Sequence, residues 1–85
     1  MSESSVNQAN SILSDFLVAQ RKSARLSIEL VADLVGKTPD QMRSIEALPI
    51  KTPLYQIAKL VKIYKTDPFA LHEKLHLISA AIQKH

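Results

Sequence analysis

Cysteine is absent from the sequence, and glycine and aromatic residues are scarce. The chain of 85 residues contains no cysteine, no tryptophan and a single glycine. Without cysteine it has neither a disulfide framework nor a metal site built on thiolates. With one glycine and few alternating β-branched residues there is little from which to build hairpins, so the composition favours an all-α fold.

Long apolar runs are also missing, although apolar residues are abundant. No stretch approaches the roughly 18 apolar residues of a membrane-spanning helix, and the apolar core of a secretory signal is absent. We therefore expect a cytoplasmic protein with no membrane partner. Apolar residues make up 46% of the chain, which is ample for one compact helical domain. The net charge of +3 permits nucleic-acid binding but does not by itself indicate it.

Start and stop signals divide the chain into five predicted helices. We expect residues 1–8, which are polar and rich in serine, to form a disordered tail, and residues 9–85 to form a single domain. Thr38, Thr52 and Asp67 each precede a proline, the pattern of an N-cap residue followed by the first helical position. The predicted helices span residues 10–24, 28–35, 39–47, 53–64 and 68–83.

The segment from Ser27 to Glu46 carries the signals of two short helices joined by a tight turn. Ser27 is a good N-cap for the first helix, and Gly36 stands where that helix ends and the backbone needs a positive φ. Thr38 and Gln41 have the spacing of a capping box at the start of the second helix. Two short helices around such a turn predict a helix-turn-helix.

Residues on both sides of this motif match a known family pattern without a gap from about Leu17 to Leu71. On these residues the chain resembles the Cro/C1-type (XRE, phage-repressor-like) helix-turn-helix family. The resemblance implies an all-α, five-helix, λ-repressor-like DNA-binding bundle. The matching residues are Arg21, Leu26, Ser27, Ala32, Val35, Gly36, Thr38, Met42, Ile45, Glu46, Leu54, Ile57 and Leu60.

The resemblance implies a sequence-specific transcriptional regulator that places its third helix, residues 39–47, in the major groove of double-stranded DNA. Gln41 would suit adenine, and Arg43 would suit guanine or a phosphate. Both also have an ordinary interpretation, Gln41 as part of a helix cap and Arg43 as a solvated arginine. The base-reading candidates are Pro39, Asp40, Gln41, Arg43 and Ser44. The phosphate-contact candidates are Arg21, Lys22, Ser27, Lys37, Thr38 and Lys51.

The family also assigns structural and assembly roles. Arg21 and Glu46 match positions that form an ion pair in relatives, joining the first helix to the end of the third. In related repressors the C-terminal part of the domain forms a dimer contact, so we expect a repressor-type homodimer. The alternative for the last helix is that it only closes the monomer core. The candidate dimer face consists of Phe69, Leu75, Ile78 and Ile82.

Several positions depart from the family pattern and favour a second function. Ile28 replaces a polar residue that helps to hold a phosphate, Pro39 offers no hydrogen bond, and Asp40 is repelled by phosphates. Arg25 and Leu48 stand where the family has glycine. The alternative is a protein-interaction module, or an antitoxin-like partner, with weak or no specific DNA binding. A continuous positive surface over the two motif helices would favour DNA, and an apolar or mixed-sign surface would favour protein.

The segment from His72 to His76 spells HExxH, the pattern of zinc metalloproteases. A catalytic zinc needs a third protein ligand, and few residues follow His76. We therefore interpret the motif as coincidental. Nothing in the sequence pairs a nucleophile with a base or forms a phosphate-cradling glycine loop. We expect no enzyme activity, no metal site and no cofactor.

Overall fold

The computed structural model of the protein describes residues 3–83, which form five α-helices and no strand. The all-α expectation is confirmed, and the observed bounds of the second to fifth helices lie within one residue of the predicted ones. None of the described helices combines the length and the hydropathy needed to cross a membrane. The helices are α1 (Glu3–Ser23), α2 (Ile28–Leu34), α3 (Pro39–Ala47), α4 (Leu54–Ile63) and α5 (Pro68–Gln83), with a 3-10 turn at Pro49–Lys51 between α3 and α4.

Helix α1 begins well before its predicted start at residue 10. Residues 3–8, which we expected in a disordered tail, are helical, and Ser5 is buried. One turn later Ala9 is buried in a cluster that includes Ile78 of α5. The tail prediction is therefore wrong for residues 3–8, because the small side chain of Ser5 can be buried while Ser4, Asn7 and Gln8 stay exposed on the other faces of the helix. The rest of the predicted tail, residues 1 and 2, lies outside the described residues.

The core consists of two clusters, one on each side of the bundle. The first joins α1 to α4 and α5, and the second joins α2 and α3 to α4. Leu54, one of the residues that match the family pattern, is 79% exposed, and Ala58 is exposed as well. Helix α4 instead turns another face to the core. The buried residues of the first cluster are Ala9, Leu13, Leu17, Ile57 and Ile78; those of the second are Val31, Ala32, Met42, Leu60 and Tyr64.

Local capping fixes the short helices α2 and α3. The Ser27 hydroxyl accepts the Leu30 N–H at 3.1 Å, which satisfies one of the free donors at the start of α2. Thr38 and Gln41 form the predicted capping box, each accepting the other's backbone N–H at 3.1 and 2.9 Å. Gly36 has the predicted positive φ, 71°. The two helices are thus joined by a turn of four residues with both start points defined by side chains.

Candidate nucleic-acid interface

Helix α3 presents its predicted base-reading residues to solvent. Its inward face carries Met42 and Glu46, both buried, and Ile45, which is partly buried against the second core cluster. The structure thus leaves the set accessible, and its role in base reading stays a prediction. The exposed residues are Pro39, Asp40, Gln41, Arg43 and Ser44.

The C-terminal end of α3 is tied to α1 by side-chain hydrogen bonds. Asn10 Nδ2 donates to the Ala47 carbonyl at 2.9 Å, and Asn10 Oδ1 accepts the Ile50 N–H at 3.2 Å. Ser14 Oγ donates to the Glu46 carbonyl at 2.5 Å. Two of these bonds satisfy carbonyls that a helix end leaves without partners, and the third satisfies the Ile50 N–H in the 3-10 turn. They hold α3 in a fixed position relative to α1, a function that sequence reasoning missed.

The expected ion pair between Arg21 and Glu46 is formed. Arg21 Nε lies 2.6 Å from Glu46 Oε2, and Nη2 donates to Oε1 at 3.4 Å. The side chains are only 11% and 7% exposed. Nη1 of the arginine donates to the Leu26 carbonyl at 2.9 Å. Each of the three guanidinium nitrogens thus donates one hydrogen bond inside the protein. Arg21 therefore has a structural role, and its assignment as a phosphate contact stays a prediction.

Tyr64, the C-cap residue that follows α4, lies near this ion pair. Burial, together with the nearby Glu46 carboxylate, raises the pKa of the Tyr64 hydroxyl to about 12, and the Arg21 guanidinium partly opposes this rise. The hydroxyl oxygen is buried and has no hydrogen-bond partner within the described residues. The α1–α3 connection is thus shielded from water on the α4 side.

The surface of the α2–α3 pair is of mixed sign. Arg43 Nη1 donates to Asp40 Oδ1 at 2.7 Å, and Nη2 lies 3.6 Å from Glu29 Oε1 on α2. All three side chains are at least half exposed. Sequence reasoning missed Glu29, and it treated Asp40 and Arg43 as independent base readers. The one arginine of α3 is in fact held by two carboxylates.

The remaining phosphate-contact candidates differ in exposure and in whether their polar groups are already used inside the protein. Ser27 and Thr38 use their hydroxyls as cap acceptors, and the Thr38 N–H is taken by Gln41. Lys22, at the end of α1, and Lys51, at the end of the 3-10 turn, are exposed, whereas Lys37 is half-buried in the α2–α3 turn. Among these candidates, the ammonium groups of Lys22 and Lys51 are therefore the ones that remain accessible to a phosphate.

Comparison of the chain with protein-family models, with curated proteins and with solved structures finds no match in any of the three. The family resemblance accordingly stays a prediction. The function has to be inferred from the residues of this chain.

An apolar surface pocket of about 210 Å³ lies between the 3-10 turn, α1, α4 and α5. Leu54 and Leu75 line it and are exposed. Of the predicted dimer face, Leu75 borders the pocket, and Phe69 is 80% exposed. The prediction is wrong for Ile78, which is 8% exposed and belongs to the core, and Ile82 is half-buried against the same cluster. The lining residues are Leu13, Pro49, Ile50, Thr52, Leu54, Ile57, Leu71, Leu75 and Ile78.

The HExxH histidines lie on the solvent-exposed side of α5. His72 and His76 are both exposed. Among residues 3–83, no group of three or more histidine, aspartate or glutamate side chains is arranged to hold a metal ion. The third histidine, His85, lies outside the described residues.

Proposed function

We propose that this chain is a sequence-specific regulator of the Cro/C1-type helix-turn-helix family that binds double-stranded DNA by inserting α3 into the major groove. The observation that carries the proposal is the arrangement of α3. Its exposed face offers Gln41 and Arg43, while its far end is anchored to α1 through Asn10 and Ser14. A short helix with an open polar face and a fixed orientation suits readout of base edges.

Exposed cations near the helix pair supply the affinity that does not depend on sequence. Lys22 and Lys51 carry it together with Arg25, which follows α1 and is exposed. Each phosphate that such a group neutralises releases counterions, which makes binding weaken with salt by a log–log slope of about −0.9 per phosphate. Replacing Lys22 or Lys51 by methionine should reduce this slope by about one for each contact that is lost. The affinity of each variant should fall by a similar factor for all DNA sequences, because a phosphate contact does not depend on the base.

The proposed regulator binds DNA as a homodimer, in which a second copy of the chain provides the two-fold symmetry typical of a repressor. Leu54 and Leu75 at the edge of the apolar pocket are suited to a contact between two copies. Leu54→Asp should then shift the protein from dimer to monomer in analytical ultracentrifugation. Tyr55→Ser is the matched control, because Tyr55 is exposed on the same helix but does not line the pocket. A monomeric wild-type protein at micromolar concentration would contradict the dimer.

Selection of binding sites from a random DNA pool tests the proposed function directly. We expect an enriched site with two-fold symmetry and half-sites about one helical turn apart. Affinity for that site should exceed affinity for scrambled DNA by about a thousandfold or more. Absence of enrichment, with only weak and salt-sensitive binding, would overturn the proposal.

The mixed-sign surface favours a second candidate, a protein-interaction module on the same scaffold. Arg43 is neutralised by Asp40, and Leu34 and Leu48 leave about half of their surface exposed near the helix pair. Exposed apolar surface can mark a protein contact. Leu34→Ser and Leu48→Ser should abolish binding of a partner if this candidate is correct. The same variants should leave affinity for the selected DNA site unchanged if the chain is a DNA-binding regulator.

A further inference from the structure

Arg43 is held by carboxylates from two helices. Its Nη1 donates to Asp40 Oδ1 at 2.7 Å within α3, and its Nη2 lies 3.6 Å from Glu29 Oε1 of α2. We propose that Asp40 and Glu29 are positioning residues, which orient the Arg43 guanidinium for one guanine, and that Asp40 does not read a base itself. The inference rests on the proposed DNA-binding function.

The Arg43 guanidinium has enough N–H donors to bind Asp40 and a guanine at the same time. A guanidinium carries five N–H donors in one plane, and only one of them is used in a hydrogen bond to Asp40. Glu29 attracts the second terminal nitrogen without forming a hydrogen bond at that distance. The remaining donors can form the bidentate pair that arginine makes with O6 and N7 of guanine. A guanidinium fixed in advance also loses less freedom on binding.

The charges of Asp40, Glu29 and Arg43 explain why this group would discriminate between the right and the wrong base. Two carboxylates face one guanidinium, so the cluster repels phosphates and does not add to binding of arbitrary DNA. Asp40 is 95% exposed and would lose water of hydration in a groove. Hydrogen bonds from Arg43 to the two acceptors of guanine, O6 and N7, offset this cost of desolvation. Cytosine presents an amino donor at the same edge and cannot accept these bonds. Asp40 therefore lowers affinity for the wrong base more than for the right one.

The closing experiment compares Asp40→Asn and Arg43→Ala on the site selected by the wild-type protein. Arg43→Ala should remove preference for guanine at one position, by about 5- to 150-fold. Asp40→Asn should reduce the same preference, raise affinity for scrambled DNA and steepen the salt dependence. Combined with Arg43→Ala, it should have no further effect on preference for guanine, because it acts through the arginine. Glu29→Gln should act in the same direction as Asp40→Asn.

Asp33→Asn is the matched control, since Asp33 is an exposed carboxylate on α2 that makes no ion pair with Arg43. It should change general affinity without altering preference for any base. An unchanged guanine preference in Asp40→Asn would overturn the inference. So would a cytosine preference that remains in Arg43→Ala and is lost when Asp40→Asn is added, because Asp40 would then read a base itself. In both cases the proposed DNA-binding function would stand. Failure of the wild-type protein to select any site would overturn both.

Discussion

Replacing Arg21 by methionine tests whether the buried ion pair ties α1 to α3. The substitution leaves Glu46, whose side chain is 7% exposed, without its partner, and it removes the donor to the Leu26 carbonyl. Breaking a buried pair from one side costs about 3–5 kcal/mol, because a charge remains buried without compensation. The total stability of a small domain is about 5–15 kcal/mol. We therefore expect a variant that is close to unfolding at 25 °C.

Urea denaturation followed by circular dichroism measures the loss. The double variant Arg21→Met/Glu46→Leu should be more stable than Arg21→Met, since no charge is then stranded. Lys22→Met is the control, because Lys22 is the exposed neighbour of Arg21 on α1 and should change stability by less than about 0.5 kcal/mol. The slope of the unfolding curve should stay constant across the series.

Two results would refute this reasoning. One is a loss of less than about 1 kcal/mol in Arg21→Met, which is typical of a solvent-exposed pair. The other is a double variant whose loss equals the sum of the losses of Arg21→Met and Glu46→Leu. Such additivity would mean that the two side chains contribute independently, and that α3 is held by other contacts.

Three further predictions concern α4 and the turns. Because burial raises the pKa of Tyr64 to about 12, stability should be fully present below about pH 10 and fall by up to about 2–3 kcal/mol as the pH rises through 12. Tyr64→Phe should remove that component of the pH dependence, and Tyr55→Phe should retain it, as measured by urea midpoints. Gly36→Ala should cost about 1 kcal/mol through its φ of 71° alone, since nothing lies within 4 Å of the added Cβ. Arg25→Gly should raise the melting temperature, because Arg25 has a φ of 60°.

The helices whose ends are marked by local signals could be predicted from the sequence. Thr38 and Gln41 define where α3 begins, and Pro49 prevents its continuation beyond Leu48. The observed bounds therefore equal the predicted ones. The start of α1 could not be predicted in this way, because Ser5 has no apolar side chain to reveal its burial. At the start of α1 tertiary packing determines the helical structure, whereas the polar composition of the segment led to the wrong prediction of a disordered tail.

The candidate site was predictable only where one helix determines it. Asp40 and Arg43 are three residues apart, a spacing at which helical side chains meet, so their ion pair was available from the sequence. Glu29 was not, because its approach to Arg43 depends on how α2 is rotated against α3. Asn10 and Ser14 did leave a signal, as polar residues one turn apart among the apolar positions of α1.

The bonds from Asn10 to Ala47 and Ile50 span 37 and 40 residues of sequence. Local backbone bonding closes the end of α3, where the Leu48 N–H donates to the Ser44 carbonyl. The Ala47 carbonyl and the Ile50 N–H instead find their partner on α1. Opening of α1 exposes the Ile50 N–H to solvent, so exchange of this amide hydrogen reports the free energy of that opening. Native-state exchange at Ile50 should consequently match exchange within α1. We therefore expect α1 and the end of α3 to open and close as one cooperative unit.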